Sequence, residues 1–509
     1  MTTRPNVLLI VTDQQRWDSL SCEGGFAPTA NLDHLAATGT RFRSAYSCTP
    51  SCTPARASLL TGRDPWHTGI LGMGQGQPPL AGLTDTLPEV LGRAGYQTHG
   101  VGKMHFTPQR ARYGFDETVL DESLRVQDDR FVSDYTAWFE RNAPADVRQS
   151  DHGVDVNSWM ARPSHVPEHL HPSTWTATES IRFLERRDPT RPFFLMTSFA
   201  RPHSPYDPPA FHYEHNLERA RAGMIPDPAV GDWARLHDVD GADRADVNAW
   251  RGRRSDDEIR RARAGYAGLV HHIDDQIGRL MRVLRDRRLD DDTMVVFVSD
   301  HGDMLGDHNL WRKTYAYEGS AHVPLLVRLP AALRADSDAR TADEPVCLQD
   351  VMPTVLDVCA VDAPAGVDGR SVLPLIRGDE VSWRDVVHGE HSTCYDPSQE
   401  MQFLTDGRWK FVWFPRCAPG APAEQLFDLA VDPYERHDLA ARAEYAADVR
   451  QWRSRLAEIL QARQAGLVDR GRLVPQHERP PLVSPAAAER RTPAPALPRD
   501  ERMDAAAPA

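Results

Sequence analysis

The chain has no apolar run approaching the roughly 20 residues of a membrane helix, which argues against a helical membrane protein. It has no Cys-x-x-Cys, and its seven cysteines (Cys22, Cys48, Cys52, Cys347, Cys359, Cys394 and Cys417) are scattered. An odd, unspaced set argues against a zinc ribbon or a disulfide framework and fits reduced thiols. The start lacks a basic n-region, a separate apolar h-region and a small-residue cleavage site. Met1-Thr-Thr-Arg-Pro-Asn leads straight into the apolar Val7-Leu-Leu-Ile-Val11. The expectation is a cytoplasmic protein. An excess of positive charge is missing too: 59 Lys and Arg stand against 73 Asp and Glu, a net charge of -14. That balance argues against nucleic acid or an anionic membrane as the main partner. It leaves room for a small anionic substrate, because a metal and a few cationic side chains supply local positive charge. No internal repeat is evident.

The 509 residues are enough for a large core and two domains. Over the first 370 or so, strand-like apolar runs alternate with helical stretches. Val7–Val11, Tyr96–Val101, Pro192–Ser198 and Thr293–Val298 read as strands. Asn31–Thr38, a segment capped by Thr86 and closed at Gly95, Thr174–Arg186 and Asp256–Arg287 read as helices. The rhythm predicts an α/β sandwich around a mostly parallel sheet, here assigned to residues 1–375. Glu400–Trp413 and Glu424–Leu429 then read as short strands and Ala440–Ala462 as a terminal helix, a smaller α+β subdomain over 376–470. Residues 471–509 are rich in Pro, Ala, Arg and Glu and read as a disordered tail.

Four chemically loaded segments follow the strand-like runs: Thr12-Asp13-Gln14, Lys103-Met-His105, Arg201-Pro-His203 and Asp300-His301-Gly302-Asp303. Open parallel sheets put their ligands at this edge, where strand ends and helix N-termini converge. A fifth segment, Cys52-Thr-Pro-Ala-Arg-Ala-Ser-Leu-Leu-Thr-Gly-Arg63, supplies the centre. Pro54 fits the first turn of a helix, and the helix then points its free N–H groups at Cys52. Arg56 lies one turn in, near enough to reach back. Taken alone, a cysteine at a helix start is more often a buried free thiol; the twelve-residue pattern outweighs that reading.

That pattern resembles the signature of type I, formylglycine-dependent sulfatases of the alkaline phosphatase superfamily, with an arylsulfatase-like flavour. The resemblance runs from Pro5 to about Leu439 and includes Gly102-Lys-Met-His105, Ser299-Asp-His-Gly-Asp303 and Leu310-Trp-Arg-Lys-Thr-Tyr-Ala-Tyr-Glu318. It implies an alkaline-phosphatase-like sandwich and oxidation of Cys52 to formylglycine by a maturation enzyme. It also implies one divalent metal on Asp13, Gln14, Asp300, His301 and the modified Cys52. Oxygen ligands make Ca²⁺ the first choice and Mg²⁺ the second; the imidazole keeps Mn²⁺ and Zn²⁺ open. Gln14 and His301 stand where many members carry Asp and Asn, as in the choline sulfatase and phosphonate monoester hydrolase branches. Arg56, Lys103, His105, His203 and Lys313 resemble the sulfate-binding and acid/base residues. Asp303, Asp307 and His308 read as neighbours of the site rather than ligands.

The implied reaction is hydrolysis of a small sulfate monoester. A hydroxyl of hydrated formylglycine attacks sulfur, Lys313 or His203 protonates the leaving alcohol, and His105 assists release of sulfate. Two rivals remain at this level: hydrolysis of phosphonate monoesters or phosphodiesters by the same site, and an inactive binding protein of the same fold. His165, His169, Trp175, Glu390 and His391 are weaker pocket candidates, and the C-terminal region is a candidate surface for a homo-oligomer. Mass spectrometry of the tryptic peptide containing Cys52 is expected to find the aldehyde or its hydrate. An unmodified thiol from a host with a competent maturation enzyme would count against the formylglycine reading.

Overall fold

The computed structural model describes residues 4–73, 83–125, 130–239, 246–334, 340–463, 466–478 and 484. Nine short segments of the amino-terminal part are strands: β1 (Asn6–Asp13), β2 (Thr40–Phe42), β3 (Ala45–Tyr46), β4 (Gln97–Gly102), β5 (Glu117–Leu120), β6 (Phe193–Pro202), β7 (Thr293–Ser299), β8 (Leu325–Arg328) and β9 (Arg340–Ala342). Eight of them form one sheet in the order β5-β4-β6-β1-β7-β8-β2-β9. β5 to β7 run parallel, β8 is antiparallel to both β7 and β2, and β9 returns parallel to β2. β3 pairs separately with β10 (Val346–Cys347).

The uninterrupted apolar run of β1 follows from its place at the centre, covered on both faces. Val7, Leu9 and Val11 face one layer, with Val296 and Val298 and with Leu59 and Leu356 from the helices Cys52–Thr61 and Val351–Val358. Leu8 and Ile10 face the other, with Leu195 and Phe297 and with Ile273, Ile277 and Leu280 of the helix Asp256–Asp286. That long helix starts with a capping box in which Ser255 and Glu258 exchange side-chain and backbone hydrogen bonds. The predicted sandwich is therefore observed, with the ends of the expected strands and helices placed to within four residues.

Downstream, β11 (Val387–His391), β12 (Met401–Thr405), β13 (Trp409–Trp413) and β14 (Glu424–Asp428) form an antiparallel sheet in sequence order. The run expected over Glu400–Trp413 is two strands, because Asp406 accepts hydrogen bonds from the N–H groups of Arg408 and Trp409 and makes a turn. The sheet alternates strictly. Met401, Phe403, Val412 and Phe427 face Tyr46, Met304 and Tyr317 of the large sandwich. Leu404, Phe411, Trp413 and Leu426 face the helix Ala446–Gln461. That helix starts six residues later than expected. Asp438 takes the N–H groups of Leu426 and Ala440 instead, and Ala443–Tyr445 forms a 3-10 turn. Of the tail expected from residue 471, Arg472–Leu473 pairs with Val468–Asp469, and buried Ser484 donates through Oγ to the Trp66 carbonyl. Residues 479–483 and 485–509 of that tail lie outside the described residues. Among the described residues no helix is long and apolar enough to cross a membrane.

A buried ion network fixes the small sheet to the large one. Lys410 of β13 donates to the Ala316 carbonyl at 2.8 Å and pairs with Glu318 and, at 3.2 Å, with Glu435. Glu435 in turn accepts the Glu318 N–H at 2.7 Å. Burial alone raises the Glu318 carboxyl, but Lys410 and His322 reverse this and hold it down to about 2. Burial, with Glu318 beside it and against the pull of Lys410, pushes Glu435 up to about 7. The signs differ. The stability from Glu318 is complete above its ordinary value of 4.5 and fades as pH falls towards 2. Glu435 holds a proton more tightly folded than unfolded, so it costs stability as pH rises from its ordinary 4.5 through 7. Glu435→Gln is expected to remove that second decline and leave the acid limb. Urea unfolding at a series of pH values checks it, and unchanged slopes on the neutral limb would refute the assignment.

Candidate active site

β1, β4, β6 and β7 end side by side, and the loaded segments converge there as expected. Beyond the regular ladders, the Asp300 N–H donates to the Thr12 carbonyl, the His203 N–H to the Asp13 carbonyl, and the Lys103 N–H to the Ser198 carbonyl. The register between β1 and β6 slips after Thr12. Two glycines let the loops approach. A Cβ on Gly102, at φ 92°, would stand 2.0 Å from the Ser198 carbonyl oxygen. One on Gly302 would stand 2.1 Å from that of Gly319.

Cys52 opens the helix Cys52–Thr61 and is wholly buried; Gly62 ends the helix in the left-handed conformation. The Cys52 Sγ lies 3.2 Å from His301 Nε2, 3.3 Å from Lys313 Nζ, 3.5 Å from Asp13 Oδ1 and 3.6 Å from Lys103 Nζ. Burial and Asp13 oppose ionisation of this thiol, but Lys103, Lys313 and His301 outweigh them and bring it well below the usual thiol range. Lys103 also pairs with Asp13 Oδ2. Burial would raise the Asp13 carboxyl, yet Lys103, His203, Lys313 and Arg56 hold it well down.

Arg56 reaches back along its helix. It donates from Nε to Asp300 Oδ2 at 2.8 Å, and from one terminal nitrogen to the Lys103 carbonyl at 2.6 Å and Ser198 Oγ at 2.8 Å. Gln14 has a left-handed backbone at φ 75°, strained for a non-glycine residue. Three contacts hold it: its N–H on Asp300 Oδ1, its side-chain NH₂ on Asp303 Oδ2, and its carbonyl under the Tyr266 hydroxyl. Its side-chain oxygen accepts from Lys313 Nζ at 2.8 Å. His105, at φ 57°, is held in the same way by Glu122, which accepts the N–H groups of Met104 and His105.

The tautomers of two histidines follow from their partners. His301 Nδ1 faces the Gly302 carbonyl at 2.9 Å and must donate, leaving the Nε2 lone pair towards Cys52 and Asp13. His203 Nδ1 donates to the Ser204 carbonyl at 2.8 Å, and its Nε2 accepts from Arg125 at 3.0 Å. Burial and Lys313 push His203 well down, and burial and Lys103 push His105 down to about 4, so both rings are neutral at pH 7.

One donor atom each from Asp13, Cys52, Asp300 and His301 lies within 4.8 Å of every other, all of them buried. Burial and Asp13 together raise the Asp300 carboxyl, the sign of two carboxylates with too little positive charge between them. The donor set fits a divalent cation: two carboxylates, an imidazole lone pair and the residue 52 position. The Gln14 oxygen lies beside the set, occupied by Lys313.

Some site residues were not foreseen. Arg125 and Glu122 follow the short strand β5, whose sequence gives little signal; recognising that strand would have put them on the same edge. Ser198 sits inside β6. His391, a weak candidate, pairs with Ser51 Oγ at 2.8 Å just before the Cys52 helix. Other weak candidates have structural partners: Trp175 packs on Tyr135 and Trp138, Glu390 pairs with Arg463, and His165 meets the Arg148 carbonyl. Asp307 pairs with Arg16 and Arg263, and His308 Nδ1 accepts the Gly231 N–H.

Comparison with known proteins identifies the family. A family model for sulfatases matches residues 5–361, and one for the C-terminal part of N-sulphoglucosamine sulphohydrolase matches residues 306–462. An arylsulfatase of Clostridium perfringens is 38% identical, over 92% of this chain and 97% of its own. A choline-sulfatase of Rhizobium meliloti is 30% identical, over 86% and 83%. The crystal structure of a phosphonate monoester hydrolase of Agrobacterium radiobacter superposes with a TM-score of 0.72 at 25% identity, covering 93% of this chain and 100% of that one.

Arg56→Lys tests how the site is held together. Lysine can serve only part of the Asp300, Lys103 and Ser198 acceptor set. Each acceptor left unpaired in this buried setting costs about 1–3 kcal/mol. The expected result is a lower midpoint of chemical denaturation at unchanged slope; wild-type stability would show that the three bonds are dispensable.

Proposed function

The chain belongs to the sulfatase family and hydrolyses sulfate esters, and on that premise we propose an arylsulfatase-like reaction whose nucleophile is made from Cys52. The observation that carries this reading is the buried Cys52 at a helix start, with Lys103 and Lys313 on its sulfur and Asp13, Asp300 and His301 beside it. Asp13, Gln14, Asp300, His301 and residue 52 would hold the divalent metal, with Ca²⁺ the first choice and Mg²⁺ or Mn²⁺ the alternatives. A metal held there would polarise the ester, and Cys52 oxidised to formylglycine would supply a hydrated aldehyde with a hydroxyl as nucleophile.

The remaining roles fall to the chain's own side chains. Lys103 and Lys313, with the N–H groups at the start of the Cys52 helix, neutralise the sulfate oxygens. Arg56 fixes the positions of Asp300, Lys103 and Ser198 through Nε and one terminal nitrogen, while its other terminal nitrogen is buried without a hydrogen-bond partner among the described residues. His203 is a poor proton donor as it stands. It is neutral, its one N–H is committed to the Ser204 carbonyl, and its other nitrogen is covered by Arg125. Lys313 is therefore the acid for the leaving alcohol, and His203 orients Arg125 at the edge of the site. His105 is neutral, bonds to the Cys52 side chain and has a buried Nδ1 with no partner, which suits a base. Next to Cys394, which feels the charge of Lys313, Tyr395 stacks on Trp250 with ring centres 5.8 Å apart and carries Arg312 over its face. The substrate class is a small sulfate ester.

On a single preparation, kcat/KM for an aryl sulfate is expected to exceed that for phenyl phosphonate, and Cys52→Ala to lower both by at least about 10³-fold. The opposite preference would move the chain to the phosphonate reading favoured by the Agrobacterium radiobacter likeness. Full activity of Cys52→Ala would sink the proposed mechanism.

A further inference from the structure

Away from the strand-end cleft, the outer helical layer gathers histidines. The helix Ala210–Arg221 carries His212 and His215, and beside it the helix Asp256–Asp286 carries His271, His272 and Asp275. His271 and Asp275 are four apart and so share one helix face. His212 meets them from the facing helix. Its ring centre lies 4.9 Å from that of His271, and its Nε2 is 2.9 Å from Asp275 Oδ2. One donor atom from each of the three lies within 4.8 Å of the others. His215 flanks them, its ring centre 5.5 Å from that of His271.

Burial is graded across this cluster. The His212 ring is almost wholly buried, His271 is half-buried, and the Asp275 side chain is 49% exposed, so the cluster opens to solvent. His212 Nδ1 is buried without a hydrogen-bond partner among the described residues. His272, behind His212, is taken up by Thr174 at 3.2 Å and Glu168 at 3.4 Å.

The geometry points to a second divalent-metal site, held by His212, His271 and Asp275 and separate from the Asp13–His301 cluster. Two imidazoles and one carboxylate, with solvent for the remaining position, are the ligand set of Zn²⁺ and its neighbours rather than of Ca²⁺. Such a site clamps two helices. The clamp lies five residues along from Tyr266, whose hydroxyl donates to the Gln14 carbonyl at 2.6 Å and accepts the Arg16 N–H at 2.8 Å. Its place on the outside of the layer makes it structural rather than catalytic.

The test uses the full chain, treated with chelator, equilibrated with Zn²⁺ and passed through a desalting column. Metal per chain is then measured for wild type and for the double variant His271→Ala, Asp275→Asn. The expected result is one Zn²⁺ equivalent fewer in the variant, loss of one set of visible d–d bands when Co²⁺ replaces Zn²⁺, and unchanged aryl sulfate turnover. Asp13→Asn, which alters the other cluster, should keep this equivalent. Equal metal content and equal Co²⁺ spectra in wild type and the double variant would overturn the proposal, and so would disappearance from Asp13→Asn of the same Co²⁺ bands that the double variant loses. Should the double variant fail to fold, Asp275→Asn alone at a half-exposed position gives the same comparison.

Discussion

The ion pair between Lys103 and Asp13 is the constraint on which the site depends. Both side chains are wholly removed from water, and neither charge would be tolerable there alone. Asp13 ends the central strand, and Lys103 leaves the neighbouring sheet edge two strands away, across β6. The pair can form only if the sheet has assembled in its native order. Arg56 extends the same logic: it ties Asp300, the Lys103 carbonyl and Ser198 into one unit, so that three strand ends and the Cys52 helix share a single register. The backbone strain at Gln14 and His105 persists because these surrounding bonds over-determine it.

The use of lysine shows the same economy of charge. Only three of the 59 cationic residues are lysine: Lys103, Lys313 and Lys410. All three are buried. Elsewhere the chain uses arginine, whose broad guanidinium suits exposed carboxylates and stacked rings. Beside the Cys52 sulfur a compact ammonium is needed, one that can approach closely and exchange a proton. Burial and Arg125 push Lys103 down from its ordinary value despite Asp13 and Cys52. The third lysine, Lys410, holds the segment Tyr315–Glu318, immediately after Lys313, against the small sheet. The small antiparallel sheet thus helps to set the position of Lys313.

Much of this was legible in the sequence because the informative residues are local. Continuous apolar runs announce strands buried on both faces, and the residues just after them are the ones gathered at the sheet edge. The Cys52 segment carries its own start, Pro54, and its own stop, Gly62. What escaped reading depends on contacts between distant segments. β5, β8 and β9 are too short to have a period, so Glu122 and Arg125 had no visible strand to follow. The start of the last helix was misjudged because Asp438 competes for backbone N–H groups, a choice that depends on β14 lying beside it. The His212–Asp275 cluster needs two helices that are far apart in the chain, and each alone looks like an ordinary polar surface.

The division between neutral histidine and charged lysine also limits how the chemistry can run. A buried site with several cations cannot keep its imidazoles protonated, because each added positive charge makes the next more costly. His105 and His203 are therefore neutral imidazoles at pH 7, able to accept a proton but not to supply a charge. His301 differs because Asp300 and Cys52 draw positive charge towards it and raise its affinity for protons, against the effect of burial. A divalent cation between Asp13, Asp300 and the His301 lone pair would satisfy the same negative potential without a proton. The features that make His301 basic in the bare chain are therefore those that would suit it to a metal, and the lone pair is kept available by the single hydrogen bond from Nδ1 to the Gly302 carbonyl.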